Sequence, residues 1–137
     1  MKSAKWILPV MLLMVTSLAM GQTVSTTIVA KVPFEFVIGN QVMPAGDWVV
    51  QAQSGDILAL RNYDARKSVL AASMRDDEKP ENRTVLVFER YGDQYFLSQI
   101  KVENTNLTYK LPKGRAEKEL RAQNVPVSAV TLLAALQ

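Results

Sequence analysis

The sequence predicts an all-β, or mostly β, domain: a sandwich or a partly closed barrel of about seven to nine short antiparallel strands with one short C-terminal helix. Three observations support this prediction. Apolar and polar residues alternate in short runs along the chain, tight-turn residues separate these runs, and a helix-forming pattern is confined to residues 113–123.

The composition excludes many classes of enzyme and of metal site. The chain has 137 residues, a length typical of one domain, and contains neither cysteine nor histidine. Catalysis by Ser-His-Asp or Cys-His groups, the usual zinc sites and disulfides are therefore ruled out. We predict no catalytic residues, no metal site and no cofactor. The net charge of +3 does not indicate a nucleic-acid partner, and export would remove that target.

Residues 1–21 have the pattern of a secretory signal peptide. Lys2 and Lys5 precede an apolar run over residues 6–20, and the small residues Ala19 and Gly21 favour cleavage after Gly21. The apolar run is shorter than the roughly 20 residues of a membrane-spanning helix. We therefore predict a single exported domain over residues 22–137, periplasmic or extracellular, with no transmembrane segment after cleavage.

In the first part of this domain, the residue pattern predicts strands that are separated by turns. Apolar or small residues alternate with polar ones over residues 24–32, and Pro33 bends the chain before a second strand over residues 34–38. Gly39-Asn40 and Pro44-Ala45-Gly46 have the composition of tight turns. The pattern is that of short β-strands in series.

The next part predicts a hairpin, one further strand and a loop. Residues 48–53 and 57–63 are strand-like and flank the turn residues Ser54-Gly55-Asp56. An alanine-rich strand is expected over residues 68–74. Seven charged residues and a proline then predict a solvated loop over residues 75–83.

Residues 84–102 predict the best-defined unit, a hairpin with the two-residue loop Gly92-Asp93. The expected pairs are Tyr91 with Gln94, Arg90 with Tyr95, Phe88 with Leu97, Val87 with Ser98, and Val85 with Ile100. This register gives two apolar faces, one with Val85, Val87, Phe96, Ile100 and Val102, and the other with Leu86, Phe88, Tyr95 and Leu97. Both faces then need a cover: a second sheet, the C-terminal segment, another subunit or a ligand.

The C-terminal part predicts a short strand, a helix and a last strand. Residues 107–111 are expected to form a strand that ends at Pro112, and residues 113–123 a helix whose apolar side is Ala116 and Leu120. Residues 127–136 are apolar, and their β-branched residues favour a strand over a capping helix.

Four motifs follow one another in this domain. They are residues 33–39 (PFEFVIG), 43–48 (MPAGDW), 91–99 (YGDQYFLSQ) and 111–120 (LPKGRAEKEL). In this order they resemble an uncharacterised family of small secreted acidobacterial proteins. The resemblance implies export and a compact β-rich domain, and it implies no activity. The chain departs from the family pattern at Trp48, Met43 and Lys101, where tyrosine, leucine and an aromatic residue are more usual.

The functional hypothesis from the sequence is a non-enzymatic binding or interaction module. Its partner would be a protein, a glycan or an envelope component, and a homodimer is also open. The residues that we expect to face a ligand or partner are Trp48, Phe88, Tyr95 and Leu97, although packing in the core is the commoner role of such residues.

Two other functions remain open at this stage. One is a carrier of a small apolar, lipid-like ligand in a barrel cavity, among Phe34, Phe36, Trp48, Phe88 and Phe96. The more remote one is a hydrolase that uses a pair of carboxylates. Its candidate acids are Glu35, Asp47, Asp56, Glu89 and Asp93.

Overall fold

The computed structural model describes residues 26–53 and 56–137. These residues form eleven strands and one helix. The elements are β1 (Thr27–Val32), β2 (Phe36–Ile38), β3 (Gln41–Met43), β4 (Gly46–Ala52), β5 (Ile57–Asn62), β6 (Lys67–Ala72), β7 (Met74–Asp77), β8 (Thr84–Tyr91), β9 (Gln94–Lys101), β10 (Leu107–Lys110), α1 (Arg115–Ala122) and β11 (Val127–Leu136). The predicted signal peptide lies outside the described residues.

The strands form one nearly closed, barrel-like sheet, which confirms the predicted all-β class. The strand order is β3-β2-β9-β8-β11-β1-β4-β5-β6, and β10 joins β9 to β7. Ser73 lies in the chain between β6, at one end of this order, and β7, which is outside it and pairs with β10. The backbone N–H and the hydroxyl of Ser73 both donate to the Asp56 carbonyl, at 2.7 and 3.3 Å. At this residue the chain changes its pairing partner, from β5 on the β6 side to β10 on the β7 side.

The sheet contains more strands than the sequence predicts. Ser73 divides one predicted strand into β6 and β7, and β2 and β3 are only three residues long. One pairing is also not antiparallel, since β2 lies parallel to β9 at Val37 and Phe96.

The predicted loop over residues 75–83 is wrong at its start, because β7 extends to Asp77. Its backbone pairs with β10 while all four of its side chains stay exposed. The charges that suggested a loop are held in ion pairs with the neighbouring strands. Lys110 Nζ lies 2.6 Å from Asp76 Oδ2 and 3.3 Å from Glu78 Oε1, and Lys101 Nζ lies 3.4 Å from Glu78 Oε2.

The β8–β9 hairpin has the predicted register near its turn and a different one beyond it. Tyr91 pairs with Gln94, Arg90 with Tyr95 and Phe88 with Leu97, as predicted. A β-bulge then leaves Ser98 as the extra residue of β9, so that Val87 pairs with Gln99 and Val85 with Lys101. The predicted pairs of Val87 with Ser98 and of Val85 with Ile100 are therefore wrong.

The bulge reverses the faces of the sheet on which the side chains at the end of β9 lie. Ile100 pairs with Leu86 and is fully buried on the inner face with Phe88 and Leu97. The Ser98 carbonyl instead accepts a hydrogen bond from the Leu111 N–H at 2.9 Å. A contact from outside the hairpin thus stabilises a register that the hairpin sequence alone does not indicate.

Residues 127–136 form a strand, as predicted, and this strand completes the sheet. β11 pairs with β8 from Val127 to Ala134, and its last residues pair with β1. The strand that is last in the chain is therefore central in the sheet.

The inner face of the sheet encloses the hydrophobic core. Phe36 lies edge-on to both Trp48 and Phe88, with ring centroids 5.3 and 5.5 Å apart. Aliphatic side chains from most strands fill the space around these rings, among them Ile28, Val32, Val50, Leu58, Leu60, Leu86 and Ile100. In the described part of the chain, α1 is too short to cross a membrane.

Candidate functional site

A cavity of about 580 Å³ opens on the outside of the sheet, beside α1. We call it the rim cavity. Its walls come from three places: the β2–β3 hairpin, the start of β9 and the first half of α1. The lining residues are Glu35, Phe36, Val37, Asn40, Val42, Asp93, Gln94, Tyr95, Phe96, Arg115, Ala116 and Glu119.

The β2–β3 turn fixes one wall of this cavity against the helix. Gly39 has φ of +60°, which suits glycine in a tight hairpin turn. The turn presents Asn40, whose side-chain oxygen accepts a hydrogen bond from the Arg115 N–H at 3.1 Å. The first turn of α1 is thus capped by a residue from another element, since Gly114 at its own cap position has no side chain to do so.

Gly114 also brings the helix close to the turn. A Cβ atom at this position would collide with the carbonyl group of Gly39. Only glycine therefore allows the start of α1 to lie directly on the β2–β3 turn.

The other end of α1 is closed by a Schellman motif. Asn124 has φ of +57°, its N–H donates to the Arg121 carbonyl at 3.0 Å, and the Val125 N–H donates to the Leu120 carbonyl at 3.2 Å. A helix of only eight residues is thus stabilised at both ends, which an isolated helix of this length would need.

Beneath α1 lies a cluster of acidic and hydroxyl groups, Glu89, Tyr91 and Glu117, which we call the carboxyl cluster. The Tyr91 hydroxyl donates to Glu117 Oε2 at 2.8 Å and lies 3.1 Å from Glu89 Oε2. Glu117 is only 3% exposed and is the one residue of α1 that is buried. The helix therefore docks on the sheet through a carboxyl group.

Two cations stand at the edge of the carboxyl cluster. Arg121 Nε donates to the Tyr91 oxygen at 2.9 Å, and its Nη2 lies 3.5 Å from Glu89 Oε1. Lys113 Nζ lies 3.5 Å from Glu89 Oε2. Both ion pairs involve Glu89, so Glu89 is the acid that carries the negative charge.

The pKa values of the cluster follow from this arrangement. Burial raises the pKa of Glu117 to about 7, and its hydrogen bond with Glu89 raises it too. That same hydrogen bond lowers the pKa of Glu89, and the positive charges of Lys113 and Arg121 act in the same direction. Burial and the hydrogen bond to Glu117 raise the pKa of Tyr91 to about 12. Glu117 thus holds its proton more tightly than Glu89 does, and the negative charge of the cluster lies on Glu89.

The four residues predicted to face a ligand lie in different places. Trp48, Phe88 and Leu97 pack in the core, and neither Trp48 nor Phe88 has any exposed surface. Trp48 also donates its indole N–H to the Pro44 carbonyl at 3.0 Å. Tyr95 is half-buried and lines the rim cavity.

The candidate acids are also separated. Glu35 and Asp93 line the rim cavity, and Glu89 belongs to the carboxyl cluster. Asp47 is exposed on β4, and Asp56 is exposed beside Arg75, whose Nε lies 3.9 Å from Asp56 Oδ1.

Several residues of the site were missed in the sequence. The predicted apolar side of the helix, Ala116 and Leu120, is not the side that packs: Ala116 is exposed, Leu120 is half-buried, and the buried residue is Glu117. The physical reason is that Tyr91 lies under the helix and donates a hydrogen bond to Glu117. The available signal was Glu89-x-Tyr91, which places two polar groups on one face of β8.

In comparisons with known proteins, no family model matches the chain, and no curated protein and no solved structure shows significant similarity to it.

Proposed function

We propose that this chain is an exported, non-enzymatic binding module of the periplasm or cell envelope, and that the rim cavity is its binding site. The observation that carries the proposal is a concave site with both apolar and polar walls. Its volume of about 580 Å³ lies within the range of about 300–1,000 Å³ that is typical of small-molecule sites.

The apolar part of the site lies where β2 meets β9. Val37 and Phe96 are paired residues of these two strands, and Val42 on β3 is 62% exposed beside them. The Tyr95 ring contributes less, because it is stacked on Phe34 at 3.8 Å and lies beneath the Arg90 guanidinium. A ligand with a small apolar group would cover the exposed part of this surface.

The polar part of the site comes from the turn and the helix. Asn40, Gln94 and Arg115 supply amide and guanidinium groups, and Glu35, Asp93 and Glu119 supply carboxylates. Few apolar groups together with polar groups around them favour an amphipathic ligand over a purely apolar one.

The alternative of a carrier with a ligand inside the barrel has less support. Three of its proposed lining residues, Phe36, Trp48 and Phe88, pack against one another with centroids 5.3–5.5 Å apart. A ligand among these rings would have to separate them. The rim cavity needs no such rearrangement.

The test is a fragment screen followed by NMR with backbone amide assignments. We expect amphipathic fragments to shift the amide signals of Val37, Val42, Phe96 and Ala116. Ala116→Trp should abolish these shifts because it fills the cavity from α1, whereas Ala122→Trp, an exposed position of the same helix outside the lining, should not. Fragment binding that leaves these amides unmoved would contradict the proposal.

A further inference from the structure

The charges around the rim cavity are unequal. Its lining contains the three carboxylates of Glu35, Asp93 and Glu119 but only one cation, Arg115. Arg115 Nε lies 3.4 Å from Glu119 Oε1, one helical turn away, so these two charges largely cancel. Glu35 and Asp93 form no ion pair with another residue of the described ranges.

Two positive groups lie outside the lining of the cavity and oppose this negative charge. The start of α1 carries about half a positive charge, and its Arg115 N–H is already bonded to the Asn40 oxygen. Arg90 carries a full positive charge at the hairpin turn, where its Nε donates to the Gly92 carbonyl at 2.7 Å and its guanidinium lies over the Tyr95 ring, but it does not line the cavity. The residues that line the cavity therefore carry a net formal charge of −2, from three carboxylates and one guanidinium, which favours a cation over an anion there.

The negative charge stands next to apolar surface. Asp93 is in the β8–β9 turn, three residues before Phe96, and Glu35 immediately precedes β2, which carries Val37. A ligand that places an apolar group against Val37 and Val42 thus has its other end within the field of these carboxylates.

We propose that the rim cavity selects small amphipathic cations, namely amines that are attached to an aromatic or short aliphatic group. This inference rests on the proposed function, because it names the chemical class of ligand for the same cavity. The carboxylates favour the positive end by charge, and Val37 and Val42 accept the apolar end.

The experiment compares three ligands of nearly equal size that differ in charge: 2-phenylethylamine, 2-phenylethanol and 3-phenylpropionate. Binding to the purified protein is measured at pH 7 by NMR titration of the cavity amides. We expect the amine to bind at least tenfold more tightly than the alcohol and the carboxylate more weakly than either. Added salt should reduce the preference for the amine, since the charges are exposed.

Substitutions then test the source of the preference. The double variant Glu35→Gln with Asp93→Asn should lower the ratio of amine to alcohol affinity from tenfold or more to about one, and it should leave the alcohol affinity unchanged. Asp47→Asn, an exposed position on β4, removes the same kind of charge outside the cavity and should leave the ratio as it is.

The outcomes separate the two proposals. Equal binding of the three compounds, abolished by Ala116→Trp and not by Ala122→Trp, would overturn the cation inference and leave the binding function standing. Preference for the carboxylate would also overturn it, and would point to the helix terminus and Arg115. If none of the compounds shifts the cavity amides at millimolar concentration, the cation inference fails whatever other fragments bind. If no fragment does so either, the proposed function fails as well.

Discussion

The two faces of the β8–β9 hairpin are buried by different chemistry. On the inner face, Phe88 and Leu97 pack among apolar side chains of the core. On the outer face, Glu89 and Tyr91 are covered by α1 through hydrogen bonds and ion pairs. Alternate residues of one strand thus belong to an apolar environment and to a titratable one. The stability of this strand pair therefore depends on packing on one side and on protonation on the other.

The largest effect is expected on the inner face. Phe88→Ala removes a ring with no exposed surface that contacts Phe34 and Phe36, and it should lower the free energy of unfolding by about 3–5 kcal/mol. Urea denaturation measures this change. Tyr63→Ala is the matched control, because Tyr63 is 67% exposed and its loss should cost less than about 0.5 kcal/mol. Similar losses for both variants would contradict the packing described for Phe88.

The next effect is a pH dependence that belongs to the outer face. Glu117 has a pKa of about 7 in the folded protein against an ordinary value of 4.5, so the folded state holds its proton more tightly. Its contribution to stability is complete below pH 4.5 and is lost as the pH rises through 7, a change of at most about 3 kcal/mol. The lowered pKa of Glu89 acts in the opposite direction, and stability from Glu89 is lost as the pH falls below 4.5.

Glu117→Gln tests this assignment, since an amide keeps an acceptor for Tyr91 but does not titrate. We expect the variant to melt at a higher temperature than the parent chain at pH 8 and at a similar temperature at pH 4.5. Glu103→Gln, a half-buried acid at the other end of the hairpin, should leave the slope between pH 4.5 and 8 as it is. A parent chain whose melting temperature is flat over this range would contradict the raised pKa of Glu117.

A smaller effect is expected from the hydroxyl that joins strand and helix. Tyr91→Phe leaves Glu117 without its donor and Arg121 Nε without its acceptor, and it should cost about 1–2 kcal/mol in the free energy of unfolding. Tyr63→Phe serves as the exposed control. A Tyr91→Phe variant as stable as the parent chain would show that the hydroxyl contributes nothing to the docking of α1.

The smallest effect concerns the helix cap. Asn40→Ala removes the acceptor for the Arg115 N–H and should cost about 1 kcal/mol, while Asn40→Asp keeps an acceptor oxygen. Amide hydrogen exchange sharpens the comparison of the two faces. In Asn40→Ala, the backbone amides of Arg115–Ala122 should exchange faster than in the parent chain, and those of β4 and β5 should exchange at the same rate. Acceleration throughout the sheet would mean that the helix and the core unfold together.

The sequence predicts local features of this fold well and distant contacts poorly. Gly92-Asp93 determines the start of the hairpin register, so the pairs up to Phe88 with Leu97 are correct. The bulge at Ser98 depends on a hydrogen bond from Leu111, and no residue within the hairpin indicates it.

The site shows the same limit. Tyr95, Glu35 and Asp93 were singled out in the sequence, and all three line the rim cavity. Asn40 and Arg115 were missed because they lie 75 positions apart and meet only when the β2–β3 turn contacts α1. Glu117 was missed because a glutamate on a short helix ordinarily faces water.

The position of β11 has a consequence for the order in which the chain folds. β8 and β1 are joined only through β11, and β1 pairs with β4 on its other side. Until residues 127–136 have been synthesised, β8 and β1 each keep an unpaired edge. Contacts between residues as distant as Ile28 and Leu136 make the final assembly slow relative to the formation of the hairpins. Completion of the sheet therefore requires residues 127–136 to pair with both β8 and β1.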